Sequence, residues 1–244
     1  MKMMKNVCML LFALCCATVA MAQVNGDEMR YGNHTYTIDG KIKKPVMSTI
    51  GSALGVPGAG KLNKPTAKVT FTNVPADYEE FEAVYTQFLG KTIHGTAAMI
   101  PMAIEMYARD AAVGKQCFEL ICNGPATVSG IIRILKEKLP PNADYSDSYC
   151  QRYMPAALLK GATPKNAYTP DYPYTVQMCR SANDPQETTY GTVTYLYILA
   201  KGWDTEQRQV EILKPDDGGL YKVFNCPSCY TQCKNIKGTW KGLK

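Results

Sequence analysis

The spacing of hydrophobic positions changes near residue 161, and this change predicts the fold. Between residues 77 and 138 apolar side chains recur at helical spacing, and the segment 94–114, rich in Ala and Met with few charges, should be a buried helix. After residue 161 the segments YTVQMCRS, TYGTVTYLYILAKG, RQVEILK and GLYKVFN are β-branched and aromatic. Four strands without intervening helices predict an antiparallel meander. We therefore expect an α+β fold, with a helical first half packed on a C-terminal antiparallel β-sheet.

The region before this core shows a different pattern. YGNHTYTIDGKIKKPV alternates around Asp39-Gly40, which predicts a β-hairpin with its turn there. The following stretch, MSTIGSALGVPGAGKLNKP, is rich in Gly and small residues and is interpreted as a linker. AKVTFTNVP then alternates as a strand that ends at Pro75. The predicted organisation is a hairpin and Gly-rich linker over 23–65, followed by one α+β domain over 66–244 with a cysteine-rich C-terminal segment.

The first 22 residues have the three-part pattern of a signal peptide. Lys2 and Lys5 form a basic start, an apolar run follows to about Ala20, and Ala20-Met21-Ala22 is a small-x-small cleavage site. The run is shorter than the roughly 20 apolar residues that a membrane span needs. We expect cleavage after Ala22, a periplasmic or secreted protein, and no transmembrane span in the mature chain.

Charge excludes a nucleic-acid partner. Residues 1–22 contain two lysines and no acid, so their removal lowers the formal net charge from +6 to +4. The remaining basic residues are scattered, apart from the tail KNIKGTWKGLK, and no basic face is interleaved with stacking aromatic side chains.

A nucleotide site is also excluded, although Gly55, Gly60 and Lys61 have the G-x-x-x-x-G-K spacing of a phosphate-binding loop. Leu62 stands where such a loop needs Ser or Thr to bind Mg²⁺, and Pro65 interrupts the helix that should follow. No cofactor is predicted.

Sulphur is the most unusual chemical feature of the chain. Seven cysteines remain after cleavage of the signal peptide, and the segment NCPSCYTQCKNIKG holds Cys226, Cys229 and Cys233. Pro227 stands where the first residue of a helix would be, so Cys226 is predicted at a helix N-terminus, where a thiolate is stabilised. Three interpretations stay open: structural disulfides that fasten a short C-terminal helix to the sheet, a thiol–disulfide redox pair of Cys226 and Cys229, or a zinc site with Cys233 as a third ligand.

Other catalytic groups are scarce. Only His34 and His94 are present, so a multi-histidine metal centre is excluded, and His94 is expected to be a partly buried residue at the start of a helix. The acids of DYEEFE fit a solvated helix N-terminus better than a pair of converging catalytic carboxylates. We assign no catalytic residue and favour a protein that is not an enzyme.

Aromatic side chains on a Pro-stiffened loop form the remaining candidate surface. Tyr168, Tyr172 and Tyr174 could stack on sugar rings or extended peptides, or could instead seal the junction between helices and sheet. They are the candidate ligand-binding residues of the chain.

The segment KGATPKNAYTPDYPYTV (residues 160–176, the signature segment) resembles the signature of an uncharacterised bacterial family of domains of unknown function. Its pattern is approximately K-G-A-T-P-x-N-x-Y-T-P-x-x-P-Y-T. VTFTNVPADYEEF, the Ala-rich helix and CNGPATVS are similar in the same order, so the resemblance covers about residues 66 to 225. It implies an α+β domain and no catalytic residue, cofactor or substrate.

Together these patterns predict an exported protein that binds a partner, either an envelope protein or a glycan. The alternatives are the redox protein and the zinc-stabilised module that CPSC would support.

Overall fold

The computed structural model describes residues 22–43, 65–139, 151–181, 183–236 and 238–244. The predicted signal peptide, apart from Ala22, and most of the predicted Gly-rich linker lie outside the described residues, as does Cys150.

One antiparallel sheet of nine strands organises the described part of the chain. Its strands are β1 (Ala22–Asn25), β2 (Glu28–Tyr31), β3 (His34–Gly40), β4 (Ala67–Phe71), β5 (Tyr174–Arg180), β6 (Gln186–Thr188), β7 (Gly191–Leu199), β8 (Gln207–Pro215) and β9 (Lys222–Asn225). The order across the sheet is β1-β2-β3-β4-β5-β7-β8-β9, and the short β6 pairs with β7. From β5 onward, apart from the short β6, strands that follow each other along the chain are neighbours in the sheet, as the meander prediction requires.

Helices are inserted between β4 and β5. They are α1 (Tyr78–Gln87), α2 (Ile93–Arg109), α3 (Ala111–Ile121), α4 (Pro125–Lys138) and the single turn α5 (Met154–Ala157). Polar side chains cap three of them, because Asp77, Thr92 and Asp110 each accept a hydrogen bond from a backbone N–H of the following first turn. The α+β class is therefore confirmed, with most helices in the first half and most strands in the second.

Helix α2 is the centre of the core. All but a few of its side chains are buried, Pro101 lies inside it, and it packs against α3, β4 and β8. In β4 the buried Ala67, Val69 and Phe71 alternate with Lys68 and Thr70, so one face of this strand is in the core and the other is more open. None of the described helices combines the length and apolar character that a bilayer span requires.

The N-terminal strands differ from the prediction. The β2–β3 hairpin turns at Gly32-Asn33, and Asp39 and Gly40 instead pair with Lys68 and Ala67 of β4. The predicted hairpin turn at Asp39-Gly40 is therefore wrong. Because β3 pairs along β4, the N-terminal hairpin continues the same sheet.

The expectation that the acids of α1 are solvated is wrong for Glu80, whose side chain is 2% exposed. Its Oε1 accepts a 2.7 Å hydrogen bond from the Tyr36 hydroxyl and lies 2.7 Å from Nδ1 of His34, and its Oε2 accepts from the N–H of Ala76 at 2.7 Å. Burial and the neighbouring Glu80 carboxylate raise the pKa of Tyr36. The cluster joins α1 to β3 and stabilises the fold.

Candidate functional site

The signature segment forms one wall of a pocket of about 390 Å³. The opposite wall comes from β5 and from the connection between β7 and β8. We call this cavity the signature pocket, and it is lined by Pro65, Leu159, Lys160, Gly161, Ala162, Asp171, Gln177, Leu199, Ala200, Lys201 and Glu206. Its size is at the lower end of the range found for small-molecule sites, and its walls combine apolar and charged side chains in the way that is typical of such sites.

Local hydrogen bonds fix the shape of the signature segment. Thr163 and Asn166 form a reciprocal capping box around the 3₁₀ turn Pro164–Asn166. The side-chain amide of Asn166 also donates to the backbone oxygens of Gly161 at 2.9 Å and Thr169 at 3.0 Å. The Thr, Pro and Asn of the signature therefore hold the loop closed.

Gly161 is required by the geometry of the pocket wall. Its φ is +84°, and a Cβ there would lie 2.2 Å from Oδ1 of Asp171. Without that Cβ, the N–H of Asp171 donates to the carbonyl of Lys160 at 2.9 Å, and Nζ of Lys160 lies 3.1 Å from Oδ2 of Asp171. The two ends of the signature segment are thus joined at the edge of the pocket.

The other two charged side chains of the pocket, Glu206 and Lys201, do not form an ion pair as Lys160 and Asp171 do. Glu206 lines the pocket with its Oε2 buried and without a hydrogen-bond partner. Lys201 is exposed on the same connection between β7 and β8. The N–H of Ala200 donates to the carbonyl of Glu206 at 2.8 Å and so holds the two ends of this connection together.

Of the three tyrosines proposed as a ligand-binding surface, the structure buries two and exposes one. Tyr168 is fully buried, and its hydroxyl lies 2.7 Å from the carbonyl oxygen of Lys234 and 3.2 Å from that of Gly202. Tyr174 is 5% exposed, packs against Phe71 and accepts a hydrogen bond from the N–H of Lys244. Only Tyr172, at 61% exposed, presents an open ring. Two of the three tyrosines therefore seal the structure, which was the alternative interpretation of this loop.

The CPSC segment does not form the predicted C-terminal helix. Pro227–Cys229 is a single 3₁₀ turn, and the backbone beyond it bonds to other parts of the fold. Cys226 and Cys229 are fully buried. Burial raises the pKa of Cys229 to about 12, against the lowering effect of Arg208, and burial also raises the pKa of Cys226. A redox cysteine needs the opposite, an accessible thiol with a lowered pKa.

The two other interpretations of the cysteines find no geometric support either. No disulfide joins any of Cys117, Cys122, Cys226, Cys229 and Cys233. Across the described ranges, no three His, Cys, Asp or Glu side chains are grouped so that they could hold a metal ion, and this covers the proposed trio of Cys226, Cys229 and Cys233.

Sequence reasoning missed the pocket residues of the β7–β8 connection. Lys201 and Glu206 lie in LAKGWDTEQ, which has the composition of an ordinary hairpin loop. The predicted meander pairs β5 with β7, but no local pattern shows that the connection after β7 lies against the signature segment before β5. The signature segment itself was the one available signal.

Comparison with known proteins identifies a protein family that this chain matches. A family model described as "Domain of unknown function (DUF6935)" matches residues 73–237. No curated protein and no solved structure matches the chain.

Proposed function

Because the chain belongs to the DUF6935 family of domains of unknown function, we propose its role from the geometry of the structure. It is an exported binding protein, and its ligand site is the signature pocket. The family match covers residues 73–237, and the resemblance found in the sequence covers about residues 66 to 225. Every pocket residue except Pro65 lies within the matched range.

The observation that carries the proposal is the construction of the pocket wall. Hydrogen bonds of Asn166 and the positive φ of Gly161 serve to shape a loop whose inner side faces a cavity. A loop that is fixed in this way around an open volume is a preorganised binding site, since little conformational entropy is lost when a ligand binds.

Binding accounts for the pocket better than catalysis. Among the described residues that line it there is no Ser, Thr, Cys, His or Tyr, so neither a nucleophile of the usual kind nor a histidine base faces the ligand. Asp171 is paired with Lys160. A small ligand also replaces the envelope protein or glycan first expected, because only Tyr172 of the three tyrosines is exposed for stacking.

Export is proposed from the sequence pattern of residues 1–22. A protein whose mature chain begins at Gln23 would meet its ligand in the periplasm or outside the cell. N-terminal sequencing of the protein recovered from the periplasmic or culture fraction should give Gln23 as the first residue. A retained Met1, or recovery from the cytoplasm alone, would remove this part of the proposal.

A pocket-blocking variant tests the binding function. Gln177 lies partly exposed on β5 and lines the pocket, so Gln177→Trp should fill the cavity without entering the core. We expect small-molecule fragments that raise the melting temperature of the wild-type protein to lose this effect on Gln177→Trp. Gln209→Trp, a partly exposed β8 position that does not line the pocket, is the matched control and should keep it.

Equal stabilisation of Gln177→Trp and the wild-type protein would place the fragments elsewhere and contradict the proposal. Chemical turnover of a bound fragment, followed in the same samples by NMR, would instead indicate an enzyme.

A further inference from the structure

We infer that the signature pocket binds a compact zwitterion, a free α-amino acid or a dipeptide, through Lys201 and Glu206. This inference deepens the proposed function and rests on it. It assigns a carboxylate-binding role to Lys201 and an ammonium-binding role to Glu206.

The charges of the pocket fall into two kinds. Lys160 and Asp171 form an ion pair with each other at 3.1 Å. Lys201 and Glu206 form no ion pair, either with each other or with another described residue, and Oε2 of Glu206 has no hydrogen-bond donor although it is buried. A carboxylate oxygen that has lost water without gaining a donor is stabilised by a ligand that supplies one.

The pocket has one unpaired charge of each sign, so we expect a ligand that carries both charges and has no net charge. A monovalent cation would contact Glu206 and not the hydrated Lys201, whereas an anion would contact Lys201 and leave the buried Oε2 of Glu206 without a donor. A zwitterion satisfies both through charge-assisted hydrogen bonds, and it leaves the pocket, whose four charges sum to zero, neutral.

The uncharged walls of the pocket determine which side chain of the ligand fits. Leu159, Ala162, Leu199 and Ala200 are aliphatic, and none of the described lining residues is aromatic. Sugars and nucleobases are usually held by stacking on aromatic rings, so this pocket lacks what they need. A volume of about 390 Å³ with aliphatic walls fits a small aliphatic side chain.

Calorimetric titration with L-alanyl-L-alanine, L-alanine and the blocked forms of the dipeptide tests the inference. N-acetylation removes the ammonium group and C-terminal amidation removes the carboxylate. We expect a zwitterion to bind and each block to weaken binding at least tenfold. Comparing L-alanine with the dipeptide then shows which length the pocket prefers.

Two variants assign the charges. Glu206→Gln should weaken dipeptide binding and abolish the preference over the N-acetylated form, while the preference over the amide remains. Lys201→Gln should show the converse pattern. Lys165→Gln, on the same signature segment, and Glu137→Gln, on α4, change one exposed charge each outside the pocket and should retain wild-type affinity.

The outcomes separate this inference from the proposed function. Equal affinity for the zwitterion and for its doubly blocked form would overturn the inference. Fragments that occupy the pocket while neither L-alanine nor the dipeptide binds would also overturn it and leave the proposed function standing. Absence of any pocket ligand would remove both.

Discussion

Gly161 is the residue on which the pocket wall depends most directly. Gly161→Ala would hold an L-residue at φ +84° and place its Cβ 2.2 Å from Oδ1 of Asp171. The left-handed conformation alone costs about 1 kcal/mol, and relief of the clash adds to it. We predict a loss of at least about 1–2 kcal/mol in the free energy of unfolding, measured by urea denaturation.

The control for this change is Gly130→Ala, inside α4. Its Cβ would have no neighbour within 4 Å and its φ is not positive. Because Gly is unfavourable in a helix interior, this variant should be more stable by up to about 1 kcal/mol. A Gly161→Ala protein as stable as the wild type would show that the wall is not built as described.

Glu105, which does not line the pocket, provides a second test of a single residue. Its buried carboxylate receives two hydrogen bonds from Arg152, at 2.5 and 2.6 Å, and one from Arg109 at 2.9 Å. Glu105→Gln removes the buried negative charge that Arg152 and Arg109 share. The expected cost is about 3–5 kcal/mol in the free energy of unfolding.

The matched change is Glu119→Gln, which breaks an exposed pair with Lys115 one helical turn away. Exposed pairs of this kind contribute roughly 0.3–0.5 kcal/mol. Similar losses for the two variants would contradict the burial assigned to Glu105.

Individual residues were predictable where local chemistry decides their role. Pro65 and Pro75 flank β4 as expected, and His94 lies buried in the first turn of α2. Glu80 was not predictable, because its three partners include Tyr36 and His34, more than 40 positions away along the chain. Without those partners, an acid in the first turn of a helix is typically solvated.

Among the elements, the signature segment is the one whose stability depends on its own side chains. Asn166→Ala removes two donated hydrogen bonds, to Gly161 and Thr169, and two accepted from the backbone N–H and the hydroxyl of Thr163. Since the loop is partly exposed, water replaces part of the loss, and we predict about 1–2 kcal/mol of destabilisation by thermal unfolding.

Lys165→Ala, at the neighbouring exposed position, removes none of these hydrogen bonds and should remain within about 0.5 kcal/mol of the wild type. If Asn166→Ala left the stability equally unchanged, the loop would be held by its surroundings and not by Asn166. The argument for preorganisation would then fail.

The types of the elements were predicted correctly where periodicity is long, but the predicted helix 94–114 is divided at Asp110 and no helix forms after Pro227. The segment after Pro227 has the Pro and Gly positions of a short helix. In the structure, Gln151 bonds both the N–H and the carbonyl of Cys233, and the N–H of Lys234 donates to Gly202. These tertiary hydrogen bonds replace those of a helix, and residues distant in sequence supply them.

For the whole molecule, the class of fold could be predicted and the extent of the sheet could not. The meander β5 to β9 follows from consecutive strands, which local patterns reveal. The joining of β3 to β4 brings together strands separated by a Gly-rich stretch, and only the register Tyr36–Phe71 to Gly40–Ala67 shows that the N-terminal hairpin extends the sheet. The signature pocket likewise brings together segments distant in sequence, the signature segment and the β7–β8 connection.

The reactivity of the cysteine thiols tests whether the interior of the molecule is buried as described. With Cys226 and Cys229 fully buried and their pKa values raised, native protein should react slowly with a maleimide at pH 7, and both residues should be labelled after unfolding without reductant. Peptide mapping by mass spectrometry checks each site. Labelling that requires reductant would restore the disulfide expectation, and rapid native labelling of Cys226 would restore the redox alternative.

The most direct test of the ligand site is an NMR chemical-shift map of the wild-type protein titrated with a fragment library and L-alanyl-L-alanine. The account predicts that perturbed signals cluster on Gly161, Gln177 and Lys201, while the side-chain amide of Gln116 on α3, outside the pocket, stays unchanged. Perturbations confined to other surfaces, or none at ligand concentrations of several millimolar, would contradict it.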